Sequence, residues 1–535
     1  MKTATHIITL AATALAGISL LAAQFTPDQK IRMAEVAIAQ LYVDTVDEDK
    51  LAEDAIRGML EKLDPHSSYT TPEETREFNE PLEGNFSGIG ISFNIDKDTL
   101  YVIETISGGP AESVGLLGGD RIIAVNDTAI AGVKMKRNDI MKRLRGPKGT
   151  KVKVNVLRHS GKNNDTIPFT ITRADIPIFS VDAAYMADPH TGYIRINRFA
   201  ADTHKEVAKA LRDLKKQGMT QLILDLTDNG GGYLISAVDL LGEFLPQRSL
   251  AVYTQGRASD RQDLYTSSGL RAPLFSDGRL VVMTNQYSAS ASEITAGALQ
   301  DYDRGLIVGR RSFGKGLVQR PIPFPDGSMI RLTVAHYYTP AGRDIQKPYR
   351  KGDARAYEND ILDRLNSGEL MHEDSIKHVD SLRFSTLNLH RDIYGGGGIY
   401  PDRFVALDTT KFTKYYRNVM AKGILNSYAI HYVDDHRKEL RKKYKTDNQF
   451  VEQFEVTDEM LREIVKMADE EKVDFNEEEF ERSIPLFRMI IKGLIGRNVY
   501  ENATYHKVYN QGNEIFREAL RLINSDDYNR ILSPQ

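Results

Sequence analysis

Apolar and polar positions change period several times along this chain, and each change marks a boundary. From Thr26, Met33, Val36, Ala37 and Leu41, then Leu51, Ala55, Met59, Leu60 and Leu63, recur at helical spacing. Thr26-Pro27-Asp28-Gln29 has the form of a helix start: a capping hydroxyl, a proline suited to the first turn and a glutamine placed to close a capping box. Asp64-Pro65-His66-Ser67-Ser68 breaks that pattern. From about Gly84 the runs GNFSGIGISFNI, LYVIETI, RIIAVN, KVKVNVLR and TIPFTIT are strand-like and separated by turn residues. They predict a small, mostly antiparallel β-module, with a turn or two of helix from Pro110 to Leu116.

The next region alternates. GYIRINRF reads as a strand, Thr203 to Gln217 as an amphipathic helix with Val207, Leu211 and Leu214 inward, and Gly218 as its stop. QLILDL is a continuous apolar strand of the kind buried on both faces. A glycine-rich turn, a helix from Leu234 to Leu245, RLVVMTN, a helix from Ala291 to Gln300 and GLIVG repeat the alternation. This is βαβ organisation around a mainly parallel sheet. Lys347 to Gly395 reads as an insertion, and beyond Asp402 the chain is charged and helical.

Composition narrows the class. A chain of 535 residues is too long for one core and predicts about three or four domains. The net charge of −4 comes from intermixed acids and bases, which gives no footprint for nucleic acid. Lys2, an apolar run from Ile7 to Ala23 and the small residues Ala22-Ala23 predict a secretory signal over 1–23, hence a periplasmic or otherwise exported protein with no membrane span after signal removal. The absence of cysteine excludes disulfides and thiolate chemistry.

The candidate chemistry starts from VGRRSFGKGLVQ, Val308 to Gln319. Gly309, Gly314 and Lys315 have phosphate-loop spacing, but Gly316 stands where a hydroxyl should hold magnesium. The following LVQRPIPFPDG is strand-like and carries Pro321, Pro323 and Pro325, so it cannot launch the required helix. The alternative is a buried lysine base. Bringing an ordinary lysine from about 10.4 to near 7 costs about 4–5 kcal/mol, which desolvation can supply. A nucleophile is offered by NQYSASASEITAGALQ, where Ser288, Ser290 and Ser292 sit at a strand-to-helix junction beside free helix N–H groups. Each of the three can equally be a helix cap. Gly230-Gly231-Gly232, at the end of QLILDL, can expose N–H groups to a developing oxyanion or simply turn the chain. His336, in a strand-like run, could serve as the base of a competing Ser-His-Asp arrangement, although a lone histidine on a strand is more often a hydrogen-bonded structural residue. His66 is expected to order its turn. No spacing suggests a metal, and no cofactor is expected.

Several of these stretches, in this order, resemble the C-terminal processing peptidases, or tail-specific proteases. YVDTVDEDKLAEDAIRGMLEKLDPHSSY is similar to their N-terminal helical segment and GIGISF…GGPAESVGLLGGDRIIAVND to their PDZ domain. LILDLTDNGGG, NQYSASASEITAGALQD and VGRRSFGKGLVQ are similar to their core motifs. The resemblance implies an α+β multidomain chain: a crotonase-like α/β peptidase core with an inserted PDZ module, an N-terminal helical region and a C-terminal helical appendage. The boundaries expected are 24–80, 81–173, 174–408 with the insertion at 347–395, and 409–535. It implies a serine endopeptidase with Ser290 as nucleophile, Lys315 as general base and Gln319 as its orienter. The oxyanion donors would be the backbone of Ala291 and Gly231, with Gly232 as the weaker choice. Gly88, Ile89, Gly90 and Ile91 would bind the free C-terminus of a polypeptide substrate by β-addition, or gate the active site. The alternative is a catalytically silent tail-binding sensor. Thr227 departs from the family's Asp-Leu-Arg pattern, and the terminal helical region is open to a homodimer or an adaptor.

Overall fold

The computed structural model describes residues 26–533, apart from 97, 107, 161–162 and 268–271; the expected signal over 1–23 lies outside the described residues. The chain divides into two units. The first holds the residues up to 72 together with 321–332 and 349–357. Helix α1 (Pro27–Leu41) begins as expected, the Thr26 N–H donating to Gln29 Oε1 at 3.1 Å. Its apolar stripe, however, buries no residue. Helix α2 (Glu48–Leu60) and strand β1 (Ser68–Thr70), antiparallel to Met329–Arg331, complete this unit. Asp64 rather than His66 orders the turn between them, accepting from the N–H groups of His66 and Ser67 and from Ser67 Oγ. The His66 ring instead meets the Tyr357 hydroxyl at 2.9 Å.

The second unit carries everything else. After α3 (Pro72–Glu83), β2 (Asn85–Gly88) pairs with β9 (Ala174–Pro177). Between them lies the β-module: β3 (Ile91–Asp96), β4 (Thr99–Thr105), α4 (Pro110–Ser113), β5 (Arg121–Val125), β6 (Thr128–Ala129), α5 (Arg137–Leu144), β7 (Lys151–Ser160) and β8 (Asn163–Thr172). Its sheet runs β3-β4-β5-β7-β8, which leaves β3 at an edge. Leu100, Ile122, Ile140, Val154 and Ile171 fill its core.

The α/β core is a sheet of β10 (Val181–Met186), β11 (Thr191–Ile196), β12 (Gln221–Asp225), β15 (Leu280–Thr284), β16 (Leu306–Gly309) and β21 (Arg403–Phe404), in that order. All pairs are parallel except β10–β11. Alternate strand residues point to opposite faces. Leu222, Leu224, Val282 and Ile307 pack against α6 (Thr203–Lys216), α7 (Leu234–Leu241) and α8 (Ala291–Asp301). Ile223, Val281, Met283 and Val308 take the other face. They are covered by Ile515, Phe516, Ala519 and Leu522 of α16 (Glu514–Ile523), so the last helices belong to the core and not to the appendage. β13 (Leu250–Gly256) forms a hairpin with β14 (Ser259–Tyr265) and pairs with His336–Tyr338 of β18 (Met329–Tyr338), which follows β17 (Leu317–Pro323).

The insertion folds as α9 (Ala354–Asn366) and a short hairpin, β19 (Arg383–Ser385) with β20 (Asp392–Tyr394). The appendage is a bundle of α10 (Lys414–Ala421), α11 (Ile424–Lys443), α12 (Asp447–Gln453), α13 (Asp458–Glu470), α14 (Glu477–Val499) and α15 (Asn502–Gly512) around Phe450, Ile464, Phe487 and Ile491. It grips the β-module through Asp96, bonded by Ser427 Oγ at 2.7 Å and paired with His431 at 2.9 Å, and through Arg121–Asp434 at 3.1 Å.

Candidate active site

Three loops leave the carboxyl ends of β12, β15 and β16, where parallel sheets hold their sites. The β15 loop carries the serines, and their environments separate them. Ser288 is fully buried, donating from Oγ to the Leu226 carbonyl at 2.8 Å and accepting from the Asn285 N–H at 3.0 Å. Ser292 is equally buried and donates to the Asn229 carbonyl at 2.9 Å. Ser290, on the turn into α8, is partly accessible. Its backbone stands at φ 58° and ψ −114°, a conformation that costs a non-glycine residue about 1–3 kcal/mol. Strand, strained serine and helix in succession make a turn of the nucleophile-elbow kind.

What holds that turn was not read from the sequence. Glu293, completely buried in the first turn of α8, takes the Ser290 N–H at 2.8 Å. Its other bonds come from the β16 loop: Ser312 Oγ at 2.5 Å, the Gly314 N–H at 2.7 Å and the Lys315 N–H at 2.9 Å. One carboxyl group thus ties the serine turn to the lysine loop. Burial pushes it above the ordinary carboxylate range although all four donors pull the other way. Tyr337 of β18 adds a second tie, its hydroxyl donating to the Ser290 carbonyl at 3.2 Å and to the Lys315 carbonyl. The spacing Ser290…Glu293 is that of a capping box, the one local signal in the sequence by which Glu293 could be found.

The glycines around Lys315 answer to close packing. At Gly314 φ is +88°, and a Cβ would come within 3.0 Å of both the Gly397 carbonyl carbon and Lys347 Cβ. At Gly316 it would meet the Gln346 N at 2.8 Å. Strand β17, not a helix, follows the lysine. Gln319 lies on that strand with its amide donating to Thr333 Oγ1 at 3.1 Å.

The β12 loop closes the site. Gly231, at φ +98°, abuts the serine turn so tightly that a Cβ would lie 2.7 Å from Ser290 Cβ and 2.9 Å from the Ala291 N. Asn229, fully buried and unremarked in the sequence, binds the two loops together. Its carbonyl accepts from the Ala289 N–H at 3.0 Å, and its side chain donates to the Ile196 carbonyl at 2.8 Å. Its Oδ1 also accepts the Gly231 N–H at 2.8 Å. The expected oxyanion donor Gly231 is therefore beside Ser290 but engaged; serving an oxyanion requires that peptide to turn. Ala291 stands at the first position of α8. Gly232 bridges to Phe199.

Four family models match the chain: the activating protease CtpB N-terminal domain over residues 16–75, PDZ domain over 87–172, peptidase family S41 over 190–355, and a family of unknown function (DUF8443) over 415–501. The chain is 35% identical to the carboxy-terminal processing protease CtpB of Bacillus subtilis over 66% of its own length and 74% of that protein's. The chain belongs to the carboxy-terminal processing proteases. It is also 39% identical to the carboxyl-terminal-processing protease of Synechocystis over 55% of this chain and 68% of that one. Among solved structures, a photosystem II D1 C-terminal processing protease is 32% identical over 60% of this chain and 91% of its own, at a TM-score of 0.33.

Other expected positions of this serine-type protease are placed as follows. In its PDZ domain a cavity of about 250 Å³ between the β3 edge and α5 is lined by Phe86, Ile89, Gly90, Ile91 and Arg145 among others. Gly88 is outside that lining: it ends β2, paired with Ala174 of β9. Thr227, in place of the expected arginine, donates to Asp225 Oδ1 at 2.7 Å, and Arg195 of β11 brings a guanidinium to both, at 2.9 Å each. His336 pairs with Asp344 at 3.1 Å, which raises its pKa through that hydrogen bond. It neighbours Tyr337 on β18, and since Tyr337 faces Ser290, strand alternation turns His336 away from the serine. Among the described residues no group of His, Asp and Glu could hold a metal, and no helix is long and apolar enough to cross a membrane.

Proposed function

We propose that this protease cleaves polypeptides at or near their C-termini with a Ser290–Lys315 dyad. The observation that carries the reading is the division of labour among the serines. Ser288 and Ser292 are buried and hydrogen-bonded, whereas Ser290 is accessible on a strained turn bound to the lysine loop through Glu293. Lys315 Nζ takes the proton of Ser290 Oγ as the oxygen attacks the scissile carbonyl. The Ala291 N–H, at the positive end of α8, faces the developing oxyanion, joined by Gly231 once its peptide turns from Asn229. Collapse of the tetrahedral intermediate breaks the C–N bond, and Lys315 returns the proton to the departing amine. A water attacks the acyl-enzyme by the same route. Gln319, in this reading, orients the lysine.

The PDZ cavity receives the substrate's free carboxyl terminus as an added strand on β3; the lining Arg145 is itself paired with Glu80 at 2.5 Å. The engaged Gly231 N–H favours a resting form that substrate completes. The parallel sheet with helices on one side and α16 on the other accords with a crotonase-like core. The apolar N-terminal run supports export to the periplasm. The test uses the purified protein with an unfolded polypeptide bearing either a free C-terminus or a C-terminal amide. Ser290→Ala and Lys315→Ala each abolish cleavage without loss of fold, and activity falls as the pH is lowered. Cleavage surviving in both variants sinks the dyad; tight binding of the free tail without cleavage by the wild type establishes the silent sensor instead.

A further inference from the structure

The loop from Arg311 to Gly316 has no regular secondary structure, yet it must fix Lys315 to within a fraction of an ångström. Its buried backbone groups still need partners. The N–H groups are met by the core: Ser312 donates to the Ile399 carbonyl at 3.0 Å, Phe313 to that of Ser288 at 2.9 Å, and Gly314 and Lys315 to Glu293. The carbonyls of Arg311, Ser312 and Gly314 turn the other way, toward the segment that follows the core strand β18. Those of Lys315 and Gly316 accept from Tyr337 of β18, and the Gly316 N–H donates to Gln346 Oε1 at 2.8 Å. The Arg364 guanidinium of α9 donates to the Arg311 carbonyl at 2.7 Å and to the Ser312 carbonyl at 3.1 Å. The Lys347 N–H donates to the Gly314 carbonyl at 2.9 Å, and its ammonium lies 3.8 Å over the Phe313 ring and pairs with Asp360 of α9 at 3.0 Å.

Two guanidinium groups meet here, since the Arg311 side chain lies beside Arg364. Their side chains are 12% and 4% exposed, so water does little to screen their repulsion. Glu369 sits between them. It takes Arg311 Nε and Nη2 as a fork at 2.7 Å each, and Arg364 Nε at 2.9 Å. Arg311 Nη1 reaches on to the Gly397 carbonyl, where the insertion rejoins the core.

We propose that Arg364 and Glu369 of the insertion are positioning residues for Lys315: Arg364, itself held with Arg311 by Glu369, fixes the Arg311 and Ser312 carbonyls where the loop begins, while Glu293 holds the Gly314 and Lys315 N–H groups. The insertion is thereby part of the catalytic apparatus without touching substrate. The proposal rests on Lys315 as the base. Removing Arg364 takes its donors from the part-buried Arg311 and the buried Ser312 carbonyls, and removing the charge of Glu369 leaves two guanidinium groups facing each other. Either releases the loop, and a misplacement of about 1 Å at a reacting group costs about 100-fold in rate.

The test measures kcat, KM and the kcat–pH profile of the full chain on an unfolded polypeptide for wild type, Ser290→Ala, Glu369→Gln, Glu369→Asp, Arg364→Lys and Arg364→Ala. Hydrogen exchange over residues 311–316 is followed alongside. We expect Glu369→Gln and Arg364→Ala to lower kcat about 10- to 100-fold with KM nearly unchanged, to shift the acid limb of the profile and to speed exchange in the loop. Glu369→Asp and Arg364→Lys should recover part of the loss. Should Arg364→Ala fail to fold, the Glu369 pair decides. Folded variants with wild-type kcat and an unmoved pH profile overturn the proposal. A wild type whose cleavage does not depend on Ser290 overturns the dyad, and the proposal with it.

Discussion

At the scale of single residues, the site is governed by how closely backbones approach. Gly231 has a left-handed φ and no room for a methyl group beside Ser290 Cβ, the Ala289 carbonyl and the Ala291 N. Gly231→Ala therefore both strains its own backbone, by about 1–3 kcal/mol, and displaces the serine turn. The expected outcome is a fall of at least about 100-fold in kcat/KM, larger than the modest drop in melting temperature accounts for. Parallel kinetics and thermal unfolding check it. The glycine was legible as a turn or an oxyanion donor, but its neighbours were not. Asn229 and Glu293 look like an ordinary loop residue and an ordinary first-turn acid. What they bind lies on loops distant in sequence, and no local pattern encodes that. The choice among Ser288, Ser290 and Ser292 was likewise made by family resemblance; burial separates them physically.

At the scale of elements, α8 depends on a partner far along the chain. Asp301, its last residue, is wholly buried and paired at 2.5 Å with the equally buried Arg343. Arg343 also donates to Gln300 Oε1 at 3.0 Å. Burial raises the Asp301 pKa, and the guanidinium opposes that rise. Breaking such a pair strands a charge in the interior, so Arg343→Ala should cost about 3–5 kcal/mol. Denaturant unfolding measures this, and a loss below about 1 kcal/mol would contradict it. Strand and helix order in the core was readable because βαβ units show their period directly. The insertion was visible only as an interruption. Its polar side chains bind backbone carbonyls, and such bonds leave no hydrophobic periodicity.

For the whole molecule, the telling contact is between the C-terminal bundle and the core. His506 of α15 is largely buried, and this desolvation, helped by the Arg195 and Arg497 charges and opposed by Asp225, lowers its pKa from 6.5 to about 4. The unfolded chain then binds a proton that the folded chain refuses between about pH 6.5 and 4, so this group contributes stability that is lost as the pH falls through that window. The slope is at most about 1.4 kcal/mol per pH unit. His506→Gln should flatten the decline in unfolding free energy between pH 7 and 4; an unchanged slope would mean that His506 stays solvated.

The sequence by itself determined the local elements, the parallel core and the family, because hydrophobic period, turn chemistry and motif order are properties of neighbouring residues. It also foresaw that QLILDL is buried twice over, but not by what. Only the tertiary structure decided that α16, more than two hundred residues later, covers the second face. Only the tertiary structure, likewise, joined the serine turn, the glycine loop and the lysine loop through Asn229 and Glu293. A strand displays how much of its surface must leave water; which segment removes it is settled when the whole chain packs.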